Sequence, residues 1–446
     1  MNLKIKIINI KNRFRELLKY KIFRLAVLLH LFYFVLALIL TLVFFRDRND
    51  FLVYYKVSEV VLNDINNLYN PPPPIEYRWP FRYFPLSVIF FIPFYLVGFD
   101  LGFILFNLSN FILNILICII LYKIILLVRN EDQEKDDKRV ITYISIFLMG
   151  SPHIFNYILG QINLYVTLFI LLSLYIILKY EDIKWQLIAG LLLGISISIK
   201  PITLLLIPFL IVFNYDVERK KYTFMLTKTT VRIIGVILPI SLNILVFLIY
   251  PELLKDFISI NFTGEDAIDI NHSFSLTKII ENFLFFIGIT EEKLLNFHIL
   301  IFLFVLIIFG GIGFFVYLVK RKTGDDLIHG YLFGILIMLI AYFDAWDHHL
   351  LILMPFLIII VFNLPRRSKL KEKIITPSIF FFSFLDLIFM GIWFFTKHLW
   401  ESGFLDIWFP INFIPTIFLI LIFAGICKFC LNKDQINQKI DLQSKS

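Results

Sequence analysis

The chain has 446 residues, 59% of them hydrophobic, and a formal net charge of +8. Apolar runs of about 18 or more residues recur along it, each long enough to cross a hydrocarbon core of about 30 Å, which excludes a soluble globular protein. Its Lys and Arg residues gather in short loops between those runs, where they set membrane orientation, and this excludes nucleic acid as a partner.

Only helices and closed barrels satisfy their backbones in lipid, and these segments are too long and too uniformly apolar for barrel strands. The expected fold is therefore an all-α polytopic membrane protein, a single transmembrane domain over residues 1–446. The basic N-terminus (1–21), with Lys4, Lys6, Lys11, Arg13, Arg15, Lys19 and Lys21 against Glu16, is expected to be cytoplasmic. Residues 22–45 lack a small-residue cleavage site and read as a retained first helix. That helix delivers Arg46-Asp47-Arg48-Asn49-Asp50 and the loop 46–81 to the outer side. Within the loop, residues 51–62 have near-helical spacing, with Leu52, Tyr55 and Val60 on one side and Lys56 and Glu59 toward another, which predicts a helix lying on the membrane surface.

Six apolar segments follow, at 83–98, 102–128, 140–158, 162–179, 186–199 and 201–213. Arg219, Lys220, Lys221 and Lys228 mark an inside loop, as do Lys320, Arg321 and Lys322, and Arg366, Arg367, Lys369, Lys371 and Lys373. Spans at 229–250, 297–319, 326–343, 348–363, 375–396 and 408–430 then alternate consistently. They leave the large loop 251–296 and the short loop around Asp344 to His349 outside, and the tail 431–446 inside. If all six middle segments crossed, Asp50 and the 214–228 loop would share a side. One of 83–98, 186–199 and 201–213 must therefore fail to span, giving about twelve crossings with both termini cytoplasmic. Residues 275–287 predict a second surface helix with Leu276, Ile279, Ile280 and Phe283 as its apolar stripe. The three cysteines form no disulfide framework, and Cys427 with Cys430 reads as a chance pair at a helix end.

Several polar residues at the outer face are candidates for chemistry. Asp50 is either a solvated acid at a helix end or a general base, which needs a carboxylate within hydrogen-bond reach of an acceptor hydroxyl. In Asp344-Ala345-Trp346-Asp347-His348-His349 the histidines and acids suit a metal, contact with a phosphate or sugar, or an interfacial belt. Gln161 and Asn163 either cap a helix or donate hydrogen bonds to a substrate. Lys200-Pro201 is a broken-helix signature, and its lysine either snorkels to the interface or faces an anion. Arg78, Arg82 and Tyr83 are headgroup ligands or interfacial anchors. A transporter or flippase for lipid or sugar is the competing class, since broken helices and intramembrane polar groups mark those too. The polar residues concentrate at one face, and no internal repeat is visible, which weighs against it.

Taken in order, these segments resemble glycosyltransferase family 87, within the GT-C superfamily. The resemblance rests on Asp50-Phe51-Leu52-Val53-Tyr54-Tyr55, Leu68-Tyr69, Tyr83-Phe84-Pro85-Leu86 and Gly160-Gln161-Ile162-Asn163. It continues through Ala189-Gly190, Lys200-Pro201, Asn271-His272-Ser273-Phe274-Ser275 and Trp346-Asp347-His348-His349 with Pro355, so it covers residues 45–360. The family often has Gln where His272 stands. The resemblance implies a GT-C fold, a polyprenyl-phosphate sugar donor, most often mannose, and inverting transfer at the extracytoplasmic face of the plasma membrane. The implied acceptor is a glycolipid or surface glycan, with no metal and no cofactor. It implies Asp50 as catalytic base and places His348, His349 and Lys200 near the donor's phosphate. Gln161, Asn163, Tyr54, Tyr83, Arg82, Asn271 and Trp346 complete the expected substrate-binding set.

Overall fold

The structure, a computed structural model, describes residues 12–73, 75–129, 137–216, 221–263, 273–319, 326–392, 411 and 413–432. Among the described residues, five helices are long and apolar enough to span a bilayer: Lys21–Val43, Phe99–Val128, Leu226–Ile249, Glu291–Val319 and Phe413–Leu431. Two bent pairs raise that number to seven: Pro152–Leu159 with Asn163–Lys179, at 119°, and Lys371–Ser383 with Leu385–Ile392, at 70°. Shorter apolar helices at Ile183–Ile199, Pro201–Leu210, Leu327–Ala341 and Asp347–Asn363 fill the bundle. The chain is thus a polytopic helical membrane protein.

Two of the segments suspected of falling short are short for a visible reason. Residues 83–98 form only a 3-10 piece, Pro85–Phe90, and one α-turn, Ile92–Tyr95, with Pro85 and Pro93 in their first turns, where a proline cannot extend a helical ladder from the residues before it. Pro201–Leu210 is a 3-10 stretch with Pro208 inside it, and ten residues at that rise cover only about 20 Å. Among the described residues, one short hairpin interrupts the otherwise helical chain. Phe213–Asp216 and Lys221–Phe224 pair antiparallel, with Asn214 opposite Thr223. Aromatic residues and Thr223 favour a strand there over a helix.

Both predicted helices exist, and the protein covers part of each. In Asp50–Asn63 the protein covers Phe51, Val53, Tyr54, Val57, Ser58 and Val60, while Leu52 and Tyr55 are only half-buried. In Leu276–Phe286 the interior face is largely polar: Thr277, Lys278, Glu281 and Asn282 are buried beside Ile279, and Phe283 is exposed. Buried polar groups need partners, so that helix turns its charged side toward partners in the protein and leaves Phe283, Phe285 and Phe286 exposed. Lys278 Nζ lies 3.1 Å from Glu281 Oε2, and His298 Nδ1 lies 2.5 Å from Glu281 Oε1.

Helices that look alike in composition occupy different layers. Every residue of Leu350–Asn363 is buried, so this helix is the core of the bundle. Leu226–Ile249 and Glu291–Val319 instead expose Leu242, Leu248, Leu300 and Ile307 at the periphery. A helix apolar all round suits either surrounding.

Close packing positions the helix that ends at Lys200. Ile183–Ile199 packs along Leu226–Ile249, and glycines let the two backbones touch. A Cβ at Gly190 would sit 2.3 Å from the Arg232 carbonyl oxygen, and one at Gly194 would sit 2.5 Å from the Val236 carbonyl oxygen. The buried Arg232 guanidinium donates to Gln186 Oε1 at 2.7 Å across the same seam. We expect Gly190→Val to push these helices apart and to destabilise the protein by about 1–3 kcal/mol. Thermal unfolding of the detergent-purified variant reads this, and an unchanged melting temperature would sink the packing argument.

Candidate active site

Asp50 opens the helix Asp50–Asn63, and Asn49 is its cap. The Asn49 side chain accepts from the Leu52 amide at 2.8 Å and donates back to the carbonyls of Phe45 at 3.0 Å and Arg46 at 2.8 Å. This two-way anchoring fixes the end of the first span to the start of the outer helix. It leaves the Asp50 carboxylate half-buried at the helix N-terminus.

The partner of Asp50 comes from a sharp turn. Gly160 has φ +65°, and the chain bends by 119° between the helices on either side of it. The left-handed conformation costs glycine little, and no side chain would fit, since a Cβ there would lie 2.6 Å from Phe51 Cβ. Gln161, the next residue, donates from Nε2 to Asp50 Oδ2. Its backbone is held in turn, with its amide donating to Asn156 O at 2.9 Å and Asn110 Nδ2 donating to its carbonyl at 3.3 Å. Gly160→Ala is therefore expected to cost about 1–3 kcal/mol of stability. It should also lower activity beyond the folded fraction, because it pushes Gln161 off Asp50. Equal losses of folded protein and of activity would refute the second part.

Tyr54 and Tyr83 pack beside this pair. Their hydroxyls are 2.9 Å apart, Tyr54 OH is 3.5 Å from Gln161 Oε1, and the Tyr54 ring stacks on Phe91. The other side of the site is the loop between the buried helices. Trp346 Nε1 donates to Asp344 Oδ1 at 2.9 Å, and Arg82 Nε lies 3.9 Å from Asp344 Oδ2. Burial works against ionisation of Asp344, but Arg82 and Lys278 outweigh it and hold its carboxyl below the usual range. Ser273 and Phe274 dock on the same loop through hydrogen bonds to Ala345 O, each 2.9 Å long.

Lys200 sits in the break between Ile183–Ile199 and Pro201–Leu210, so its side chain leaves the helix axis and enters the site. Its Nζ donates to Asn163 Oδ1 at 2.7 Å and meets His349 Nε2 at 2.5 Å. The Trp346 amide donates to the other ring nitrogen, His349 Nδ1, at 3.0 Å. A neutral imidazole carries one hydrogen, so with Nδ1 accepting, Nε2–H points at Lys200. Two donors cannot face each other at that distance, and Lys200 fits as an uncharged amine. Burial agrees: it pushes Lys200 down to about 7, against the pull of Asp50 and Asp344.

Asp50 faces this group. Burial raises its pKa, while His348, the Gln161 hydrogen bond and Lys200 pull the other way. The site thus holds a carboxylate of raised basicity, a lysine near neutrality and two imidazoles, gathered from three separate stretches of chain. Asp50 and Lys200, perturbed titratable groups in one place, mark a candidate functional site.

Asp50, Tyr54, Arg82, Tyr83, Gln161, Asn163, Lys200, Trp346, His348 and His349 all fall in this one neighbourhood. Asn271 lies outside the described residues. Among the described residues, no three His, Cys, Asp or Glu side chains are arranged to hold a metal ion. Asp386, an acid in an apolar segment and so itself a signal, is not among the residues the sequence analysis singles out.

A helical membrane protein that gathers a carboxylate, a buried lysine and histidines in one place has the makings of an enzyme. The model of glycosyltransferase family 87 matches residues 81–343, more than half of the chain, and the protein belongs to that family. The match is narrower at both ends than the resemblance over 45–360, and it leaves Asp50 and residues 346–349 outside it. No curated protein and no solved structure matches the chain. Family membership makes it a glycosyltransferase and tells against the transporter alternative.

Proposed function

We propose that this glycosyltransferase moves a sugar, mannose by family expectation, from a polyprenyl-phosphate donor to a lipid-linked or surface glycan acceptor, with inversion. The observation that carries this reading is the Asp50–Gln161 contact facing Lys200 and His348 in a chain of this family. Asp50 is the general base. Its raised basicity suits it to take a proton from the acceptor hydroxyl as that oxygen attacks the anomeric carbon. Gln161 aims the carboxylate. The donor's phosphate belongs at Lys200, His348 and His349, with Asn163 and Trp346 holding the lysine and the ring in place. Lys200 takes up a proton when the anion arrives and then stabilises the departing phosphate. Tyr54, Tyr83 and Arg82 wall the side nearest the outer loop.

In this reading the fold is of GT-C type with about twelve crossings. The site faces outward from the plasma membrane, and both termini lie in the cytoplasm. The donor's isoprenoid tail stays in lipid while its phosphate sits at the interface, which suits a site entered from both phases. The test is transfer of radiolabelled mannose from polyprenyl-phosphate-mannose by purified protein, with the host's extracted lipids as acceptor. Labelled lipid product supports the reading. Product only from a nucleotide sugar or a diphosphate-linked donor would overturn it.

A further inference from the structure

Two helix breaks meet behind His348. One, at Gly150 and Ser151, separates Asp137–Met149 from Pro152–Leu159; the other, at Phe384, separates Lys371–Ser383 from Leu385–Ile392. The Ser383 carbonyl at the second break accepts from the Ser151 amide at 2.7 Å. The Ser151 hydroxyl reaches Asp386 Oδ2 at 2.6 Å and lies 3.3 Å from Ser383 O, so its one hydrogen goes to the carboxyl. Asp386 is flanked by Leu385 and Leu387, in a segment with no other charge from Ile374 to Ile392. An acid placed there is costly unless it serves the protein's work.

The Asp386 carboxyl lies within hydrogen-bonding distance of the Asp347 carboxyl. Two carboxylates in contact away from water cannot both ionise, so the pair holds one proton and one negative charge. The surroundings decide which is which. Asp347 Oδ1 accepts from the His348 amide at 2.9 Å and lies 3.4 Å from His348 Nδ1, whereas Asp386 receives the Ser151 hydroxyl. The amide and the imidazole favour the anion on Asp347, which leaves the proton on Asp386. His348, next to this pair, also lies close enough to Asp50 to act on its carboxylate.

We propose that Asp386 is a positioning residue: a protonated acid that donates to Asp347 and so fixes the anion that orients His348 toward the Asp50 site. The proposal rests on the reading of Asp50 as base, but its first test needs no substrate. Infrared spectra of the purified full-length protein at neutral pH should show the carbonyl stretch of a buried, protonated carboxylic acid. That band should vanish in Asp386→Asn and persist in Asp50→Asn.

Transfer then gives a second readout. Asn presents an N–H where the protonated acid presents its O–H, so Asp386→Asn should keep near wild-type kcat. Asp386→Ala leaves Asp347 without its donor and should lose roughly 10–100-fold in kcat with KM little changed. Where the alanine variant does not fold, the infrared band and the asparagine variant decide alone. An unchanged band in Asp386→Asn, or an asparagine variant as impaired as alanine, would overturn the proposal. Inactive wild-type protein would instead fault the donor assignment, and the band would still decide the proton.

Discussion

Asp50→Ala is expected to reduce transfer by roughly 10²–10⁴-fold, the usual contribution of a positioned general base, while the protein stays folded and membrane-inserted. The side chain touches Gln161 and makes no contribution to the helix cap, which Asn49 supplies. Its loss should therefore spare the fold. Asp50→Asn should fail about as badly, because it keeps the shape and removes the basicity. The pH profile follows from the direction of the Asp50 shift. A base works only when deprotonated, and burial raises this carboxyl above its ordinary value. Activity should therefore fall on acidification through a limb lying above the ordinary carboxylate range. Transfer by the purified Asp50 variants, with the wild-type rate followed against pH, checks both statements. Retained activity in Asp50→Ala would move the base elsewhere.

Lys200→Met should cost about 10²–10³-fold in kcat/KM, the magnitude seen when a donor to developing negative charge is removed. Methionine keeps the bulk of the stem and the break at Pro201, so the loss reads the amine and not the packing. Lys200 faces Asn163 and His349 directly, with Asp50, Asp344 and His348 as the nearby charged or titratable groups. With its pKa brought down to about 7, the lysine is largely uncharged in the empty site above that pH. An arriving phosphate raises its proton affinity, so binding of polyprenyl phosphate should take up a proton between pH 7 and 8. Calorimetric titration in two buffers of different ionisation heat measures that uptake. Lys200→Arg, charged throughout, should bind without it. Proton uptake surviving in Lys200→Arg would place the titrating group elsewhere.

Much of the site was legible in the sequence because its members are polar residues stranded among apolar ones. Asp50 at the end of a span, Gln161 and Asn163 at a helix start, and Lys200 before a proline each break a pattern. Their contacts were not legible. The Gln161–Asp50 pairing joins residues 111 positions apart and depends on the left-handed turn at Gly160. The hydrogen on His349 depends on a backbone amide that only the folded loop supplies. Helix phase also escaped the sequence. The apolar stripe of Leu276–Phe286 is visible in the sequence, but only the fold shows that the Lys278, Glu281 and Asn282 side faces the protein interior. Periodicity locates two faces, and in a bilayer either can be the inward one.

What the sequence determines by itself is the membrane class, the helical content and the polar residues worth suspecting, because each follows from hydrophobic length and local charge. Which helices form the core and which meet lipid is decided by tertiary structure. Leu350–Asn363 and Glu291–Val319 are both apolar on all sides, and lipid tails and leucine side chains are equivalent surroundings to them. Tertiary structure also brings Asp386 to Asp347. Neither acid carries a local signal for the other, and only the meeting of two helix breaks places them in contact.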